Sequence, residues 1–227
     1  MAPAPLSSAQ VLDELEFLAS VEHALITEYL TVGYALLVDL PAGSDVAAGL
    51  AQGQMFRLHD VCRALVTAER LPTLERAASI RAGGVDIPFS PAGPGAYADL
   101  LARESAIAKA VDDRYRALAP SVGPGLAELV GKSGPTHLDG LQALRDAIGD
   151  PAPPGLLHAV RFEPRTDAES TLLRAGDSTY RVVVTALRAM YGVEFSDYRQ
   201  IANTAMLALD AINRVLARDG LLPSFNP

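Results

Sequence analysis

Apolar residues recur at intervals of three and four along most of this chain, the signature of helices that bury one face. From Val11 to Val38 the seam is Leu15, Leu18, Leu25, Tyr29, Val32 and Leu36, with Ser7 or Ser8 placed to cap it. Pro41, Gly43, Ser44 and Asp45 read as a turn. A second helix is expected from Val46 to Arg70, with Leu50, Met55, Leu58, Val61, Cys62 and Leu65 on one broad face and Pro72 ending it. The stretch from Arg81 to Gly95 is rich in Gly and Pro and reads as a long connection. A third helix is predicted from Tyr97 to Leu118, with Leu100, Leu101, Ile107, Val111, Tyr115 and Leu118 inward. A fourth runs from Leu126 to Val130, breaks at Gly131-Lys132-Ser133-Gly134-Pro135 and resumes from His137 to Ile148, with Leu141 and Leu144 on the same stripe. A link from Asp150 to Gly176 leads to two last helices, Thr179 to Tyr191 and Asp197 to Ala217. The only β-branched run, Val182-Val183-Val184, sits inside a helical pattern, so no strand is expected. The pattern describes one all-α domain over residues 1–227, four long helices followed by a helical pair.

Polar residues interrupt these seams. Glu22 stands where the first helix should place an apolar residue between Leu18 and Leu25, and Glu104 does the same in the third helix. His137 heads the fourth stripe. At about 100° per residue, Gln54 falls inside the apolar arc of the second helix and Arg57 on its edge. Each of these residues has a plain alternative as a boundary, capping or surface group. Together they place inward polar groups on four helices, the way bundles build metal or acid-base sites. A buried carboxylate must be protonated or paired, and Arg57 or a metal could be the partner. Glu28 falls on another face of its helix from Glu22. His23, His59 and His158 read as structural or exposed, and Cys62 as a small core residue.

Composition narrows the class. The 227 residues are 49% hydrophobic and 20% charged, which is globular, and the net charge of −8 argues against a nucleic-acid or anionic-membrane partner. One cysteine cannot form an internal disulfide, Met1 to Gln10 has no signal-peptide pattern, and no apolar run is long enough for a membrane span. A cytoplasmic protein is expected.

The segment Leu15-Glu16-Phe17-Leu18-Ala19-Ser20-Val21-Glu22-His23-Ala24-Leu25-Ile26-Thr27-Glu28-Tyr29-Leu30 resembles the first helix of the ferritin-like domain of iminophenylpyruvate dimer synthases. The resemblance extends through Gln54-Met55-Phe56-Arg57-Leu58, Glu104, Gly131 to His137 and Leu221-Leu222-Pro223. It implies a ferritin-like up-down four-helix bundle with the additional C-terminal pair, and a place in secondary metabolism. In that family the second helix carries Glu-Met-x-His, both ends binding metal, and the fourth carries Gln-Gly-Glu-Gly. Here those positions read Gln54-Met55-Phe56-Arg57 and Lys132-Ser133-Gly134-Pro135, so only Glu22, Glu104 and His137 carry over. Arg57 also brings a permanent positive charge to where a dication would sit.

The expectation is therefore a tailoring enzyme that works without a cofactor, by acid-base chemistry on a small, largely apolar metabolite. The reaction would be a cyclisation, isomerisation, dehydration or addition. Glu22, Glu104, His137 and Arg57 are the catalytic candidates, with Glu22 the acid, Glu104 the base and His137 a proton shuttle. Gln54, Tyr29, Met55 and Phe56 are the substrate-contact candidates. The alternatives are an oxidative enzyme holding a single Fe on Glu22, Glu104 and His137, and a non-catalytic protein that binds a metabolite or partner. The partner expected is a small molecule, with a homodimer left open.

Overall fold

The computed structural model describes residues 6–89, 97–122, 137–149, 160–192, 196–223 and 225. Among these the chain is mainly helical: α1 (Ser8–Leu36), α2 (Pro41–Thr67), α3 (Tyr97–Leu118), α4 (residues 137–148), α5 (Asp167–Gly192) and α6 (Ser196–Arg218). The predicted segment from Leu126 to Val130, the break at 131–135 and His158 lie outside the described residues.

α1 opens on a capping box. Ser7 N–H donates to Gln10 Oε1 and the Ser7 hydroxyl accepts from Gln10 N–H, which satisfies two otherwise orphaned groups. From Val21 to Leu36 every residue of α1 except Leu30 is buried, so this helix is surrounded rather than laid on a surface. α2 is its principal neighbour. At Gly33 the two helices are in contact, since a Cβ there would stand 3.4 Å from the Ser44 carbonyl oxygen. α5 packs on α6, and this second pair touches the first through α1 with α6 and α2 with α5. α3 reaches α1 through side chains, and α4 lies against α2. A Cβ on Gly140 would come within 2.5 Å of Leu50 Cδ2, so α4 sits as close as a missing side chain allows.

The largest departures from the sequence reading are the starts of α2 and α5 and a hairpin, each with a local reason. α2 begins at Pro41 rather than Val46, because proline fits the first helical position, where its absent N–H is not missed. α5 begins at Asp167, well before Thr179. Thr166 caps it by accepting from Glu169 N–H, and Thr166-Asp167-Ala168-Glu169 is the Thr-x-x-Glu pattern that starts helices. The expected loop after Arg81 contains an antiparallel hairpin, β1 (Ser79–Ala82) with β2 (Val85–Pro88). Gly83 and Gly84 join the strands at φ 57° and 84°, the left-handed backbone a tight two-residue hairpin turn requires.

Candidate functional site

At 100° per residue, α1 and α2 each present two separate inward faces. On α1, Leu18, Glu22, Leu25 and Tyr29 share one, while His23, Ile26, Thr27 and Leu30 share another. On α2, Gln54, Arg57 and Val61 share the first and Met55, Leu58 and His59 the second. The first faces meet α3 and α4 around a polar cluster, and the second faces meet α5 and α6 around an apolar groove.

Glu22, Tyr29, Gln54, Glu104, Tyr115 and His137 are all buried, with Glu22 at 0% exposure. The Tyr115 hydroxyl donates to Glu22 Oε1 at 2.9 Å, which ties α3 to α1. Burial raises the Glu22 carboxyl to about 7, against the smaller opposing effects of the Arg57 charge and the Tyr115 hydrogen bond. Glu22 is thus poised between its acid and its base at neutral pH. Arg57 is half-buried, and its charge also acts on Tyr115 and His137.

On the other side of the cluster, the Tyr29 hydroxyl lies 2.6 Å from His137 Nε2. It also faces Glu104, close enough for that carboxylate to raise the Tyr29 pKa by charge and by hydrogen bonding, after desolvation, the main cause. Burial and then the Arg57 charge push His137 down to about 3, so its imidazole is neutral at ordinary pH. Glu104 Oε1 accepts from Arg103 at 2.9 Å, and the same guanidinium nitrogen reaches Glu28 Oε1 at 3.0 Å.

After these bonds are made, Glu22 Oε2, Gln54 Oε1, Glu104 Oε2 and His137 Nδ1 remain buried without a hydrogen-bond partner. Buried polar atoms are ordinarily satisfied, and these four are drawn from α1, α2, α3 and α4.

Four of the residues singled out in the sequence, Glu22, Arg57, Glu104 and His137, thus belong to one electrostatic cluster. Tyr29 is its centre, and Gln54 is buried one turn before Arg57 on the same face. Met55 and Phe56 do not join them. They line the groove on the other side of α2, and Phe56 is 63% exposed. His23 and His59 also face that groove, and Cys62 is buried with its thiol pushed up to about 12 by desolvation. The sequence reading missed Tyr115, Arg103 and Glu28 as members. Tyr115 had a signal, since it follows Glu104 by three helical turns and so shares its face. Nothing local announced the Arg103 bridge, which joins Glu28 to Glu104 across two helices.

The donor set for the metal that the resemblance implies is incomplete in this chain, which has Gln54, Arg57 and Gly134 at three of its positions. Among the described residues, no three His, Cys, Asp or Glu side chains stand together as a metal-holding group. His137 Nε2 is engaged by Tyr29 and Glu22 Oε1 by Tyr115, while Arg57 places positive charge on both flanks. Compared with known proteins, the chain matches no family model, no curated protein and no solved structure.

Proposed function

We propose that this chain is a ferritin-like bundle in which an acid-base site, held by Arg57, has taken the place of a metal centre. It would act on a small, largely apolar metabolite by cyclisation, isomerisation, dehydration or addition. The observation that carries this reading is the set of unpartnered atoms, Glu22 Oε2, Gln54 Oε1, Glu104 Oε2 and His137 Nδ1, in one buried cluster.

Glu22 is the acid. Its Oε1 is occupied by the Tyr115 hydroxyl, so the transferable proton sits on Oε2, and a carboxyl at about 7 gives it up readily at neutral pH. The base is Glu104 acting through two relays. Tyr29 has one hydroxyl proton and two acceptors, His137 Nε2 and the Glu104 carboxylate. In the relay Tyr29 turns its proton from His137 to Glu104 Oε2, the oxygen otherwise without a partner, while His137 Nε2–H donates to the Tyr29 oxygen and Nδ1 presents a lone pair. A substrate proton taken at Nδ1 moves the Nε2 proton to Tyr29 and the Tyr29 proton to Glu104. Imidazolium would be costly here, and this route never forms it.

Proton transfer to and from carbon can be read without knowing the natural substrate. A panel of aryl-substituted carbonyl compounds, first shown by NMR to bind, is incubated with the protein in deuterium oxide. The wild type should exchange an activated C–H of at least one member, and Glu22→Gln should slow this by roughly 10² to 10⁴, the usual contribution of one acid-base group. Equal exchange by both proteins across the bound panel overturns the proposal. A second reading, a non-catalytic binding protein, draws support from Tyr29, which fills the space between His137 and Glu104. Bound compounds with no exchange would favour it.

A further inference from the structure

The apolar groove on the far side of α1 encloses about 280 Å³ between α1–α2 and α5–α6, at the small end of ligand-site volumes. Its floor is aliphatic: Ile26, Leu58, Leu74, Val183 and Leu209 line it. Leu74 adopts φ 54°, a strained conformation for a branched residue, and its carbonyl accepts from His23 Nδ1–H at 2.8 Å. A carbonyl can only accept, so the proton is on Nδ1 and Nε2 is the acceptor. The Tyr180 hydroxyl, 2.6 Å away, therefore donates to Nε2 and turns only its lone pairs elsewhere. The inner polar groups are thus satisfied within the protein, and the groove wall asks for an apolar body.

The charged groups give the other half of the ligand. Arg199 lines the groove beside His59, which feels Arg63 and Arg199 on one side of the balance and Asp60 on the other. At the inner end, the Arg76 guanidinium stands 5.8 Å from the Tyr180 ring centroid. In a chain of net charge −8, the one permanently charged residue among the described residues that line this groove is an arginine, Arg199. Arg199 and Asn203, one turn apart on α6, are exposed and lie at the rim, where a head group would emerge.

We infer that this groove is a second ligand site, separate from the core cluster, for a small apolar monocarboxylate whose head group meets Arg199. The site does not depend on the acid-base reading, since Met55 and His59 face it from the opposite side of α2 to Gln54 and Arg57.

The test uses 2-naphthoate and its neutral counterpart 2-naphthamide, titrated by NMR into the full chain with methyl labels on valine and leucine. The wild type should bind 2-naphthoate saturably below about 1 mM, with shifts centred on Val183, Val184 and Leu209. Arg199→Gln, an exposed change, should weaken 2-naphthoate about tenfold and leave 2-naphthamide unchanged. Val184→Phe, at a half-buried lining position, should abolish binding of both. No saturable binding, equal affinity for acid and amide, or shifts centred on α3 and α4 would each overturn the inference.

Discussion

Tyr115 holds Glu22 through a hydrogen bond that stabilises the carboxylate, yet Glu22 still titrates near neutrality because its burial is complete. Two groups oppose that burial, Arg57 more strongly than Tyr115. Removing either should push the Glu22 carboxyl above 7, and Arg57→Ala should push it further than Tyr115→Phe. Carbon-13 detection of the glutamate side-chain carboxyls across pH reads both. A larger shift in Tyr115→Phe would mean that Arg57 is turned to solvent.

The same carboxyl links stability to pH. Its folded pKa, about 7, lies above the ordinary 4.5, so the folded state holds a proton that the unfolded state has released between those values. Stability from this group is present below pH 4.5 and is lost as pH rises through 7. A shift of this size corresponds to about 3 kcal/mol, fully expressed above pH 8. Glu22→Gln should therefore be more stable than the parent at pH 8 to 9, by up to that amount, with the difference vanishing near pH 4. Urea unfolding of both proteins at two pH values checks the sign.

His23 and His137 act in the opposite direction. Burial depresses both, to about 4 and about 3, so each is neutral in the fold at pH values where the unfolded chain is already protonated. Their contribution is complete above pH 6.5 and is lost as pH falls through the folded values. Between pH 6.5 and 4.5 two such histidines outweigh the single Glu22, so the protein should lose stability on acidification across that window. His137→Gln should flatten the slope. Melting temperatures at pH 7, 6 and 5 suffice.

Tyr29 should matter for proton movement more than for folding. Tyr29→Phe keeps the ring in place but removes the hydroxyl that His137 Nε2 and Glu104 share. Proton exchange on a bound compound should fall by roughly 10² or more, while binding of that compound changes little. Nitrogen-15 shifts of His137 should still report a neutral ring at pH 6. An unchanged exchange rate would remove Tyr29 from the relay.

The mainly helical character was legible because the three- and four-residue seams are long, and Glu22, Glu104 and His137 stood out as polar residues within them. What the sequence hid was non-local or tightly local. The Gly83-Gly84 hairpin is too short to show a strand period, and its only signal was the paired glycine. The early start of α5 lay in one capping box, Thr166 to Glu169. Nothing in the sequence paired Arg103 with Glu28, whereas in the fold it bridges Glu104 to Glu28 on α1. Met55 and Phe56 were legible as apolar but not as belonging to a second face, because the groove they line is built by α5 and α6, far along the chain.

The most direct test of an acid-base site standing where the resemblance puts a metal centre is metal analysis of the chain. The protein is expressed in medium supplemented with iron, manganese and zinc and purified without chelator. Arg57, Gln54 and the engaged Glu22 and His137 predict a substoichiometric content that dialysis removes, with the Glu22 titration near pH 7 unaltered by added metal. Two equivalents per chain that survive dialysis, with Glu22 no longer titrating near 7, would contradict the account.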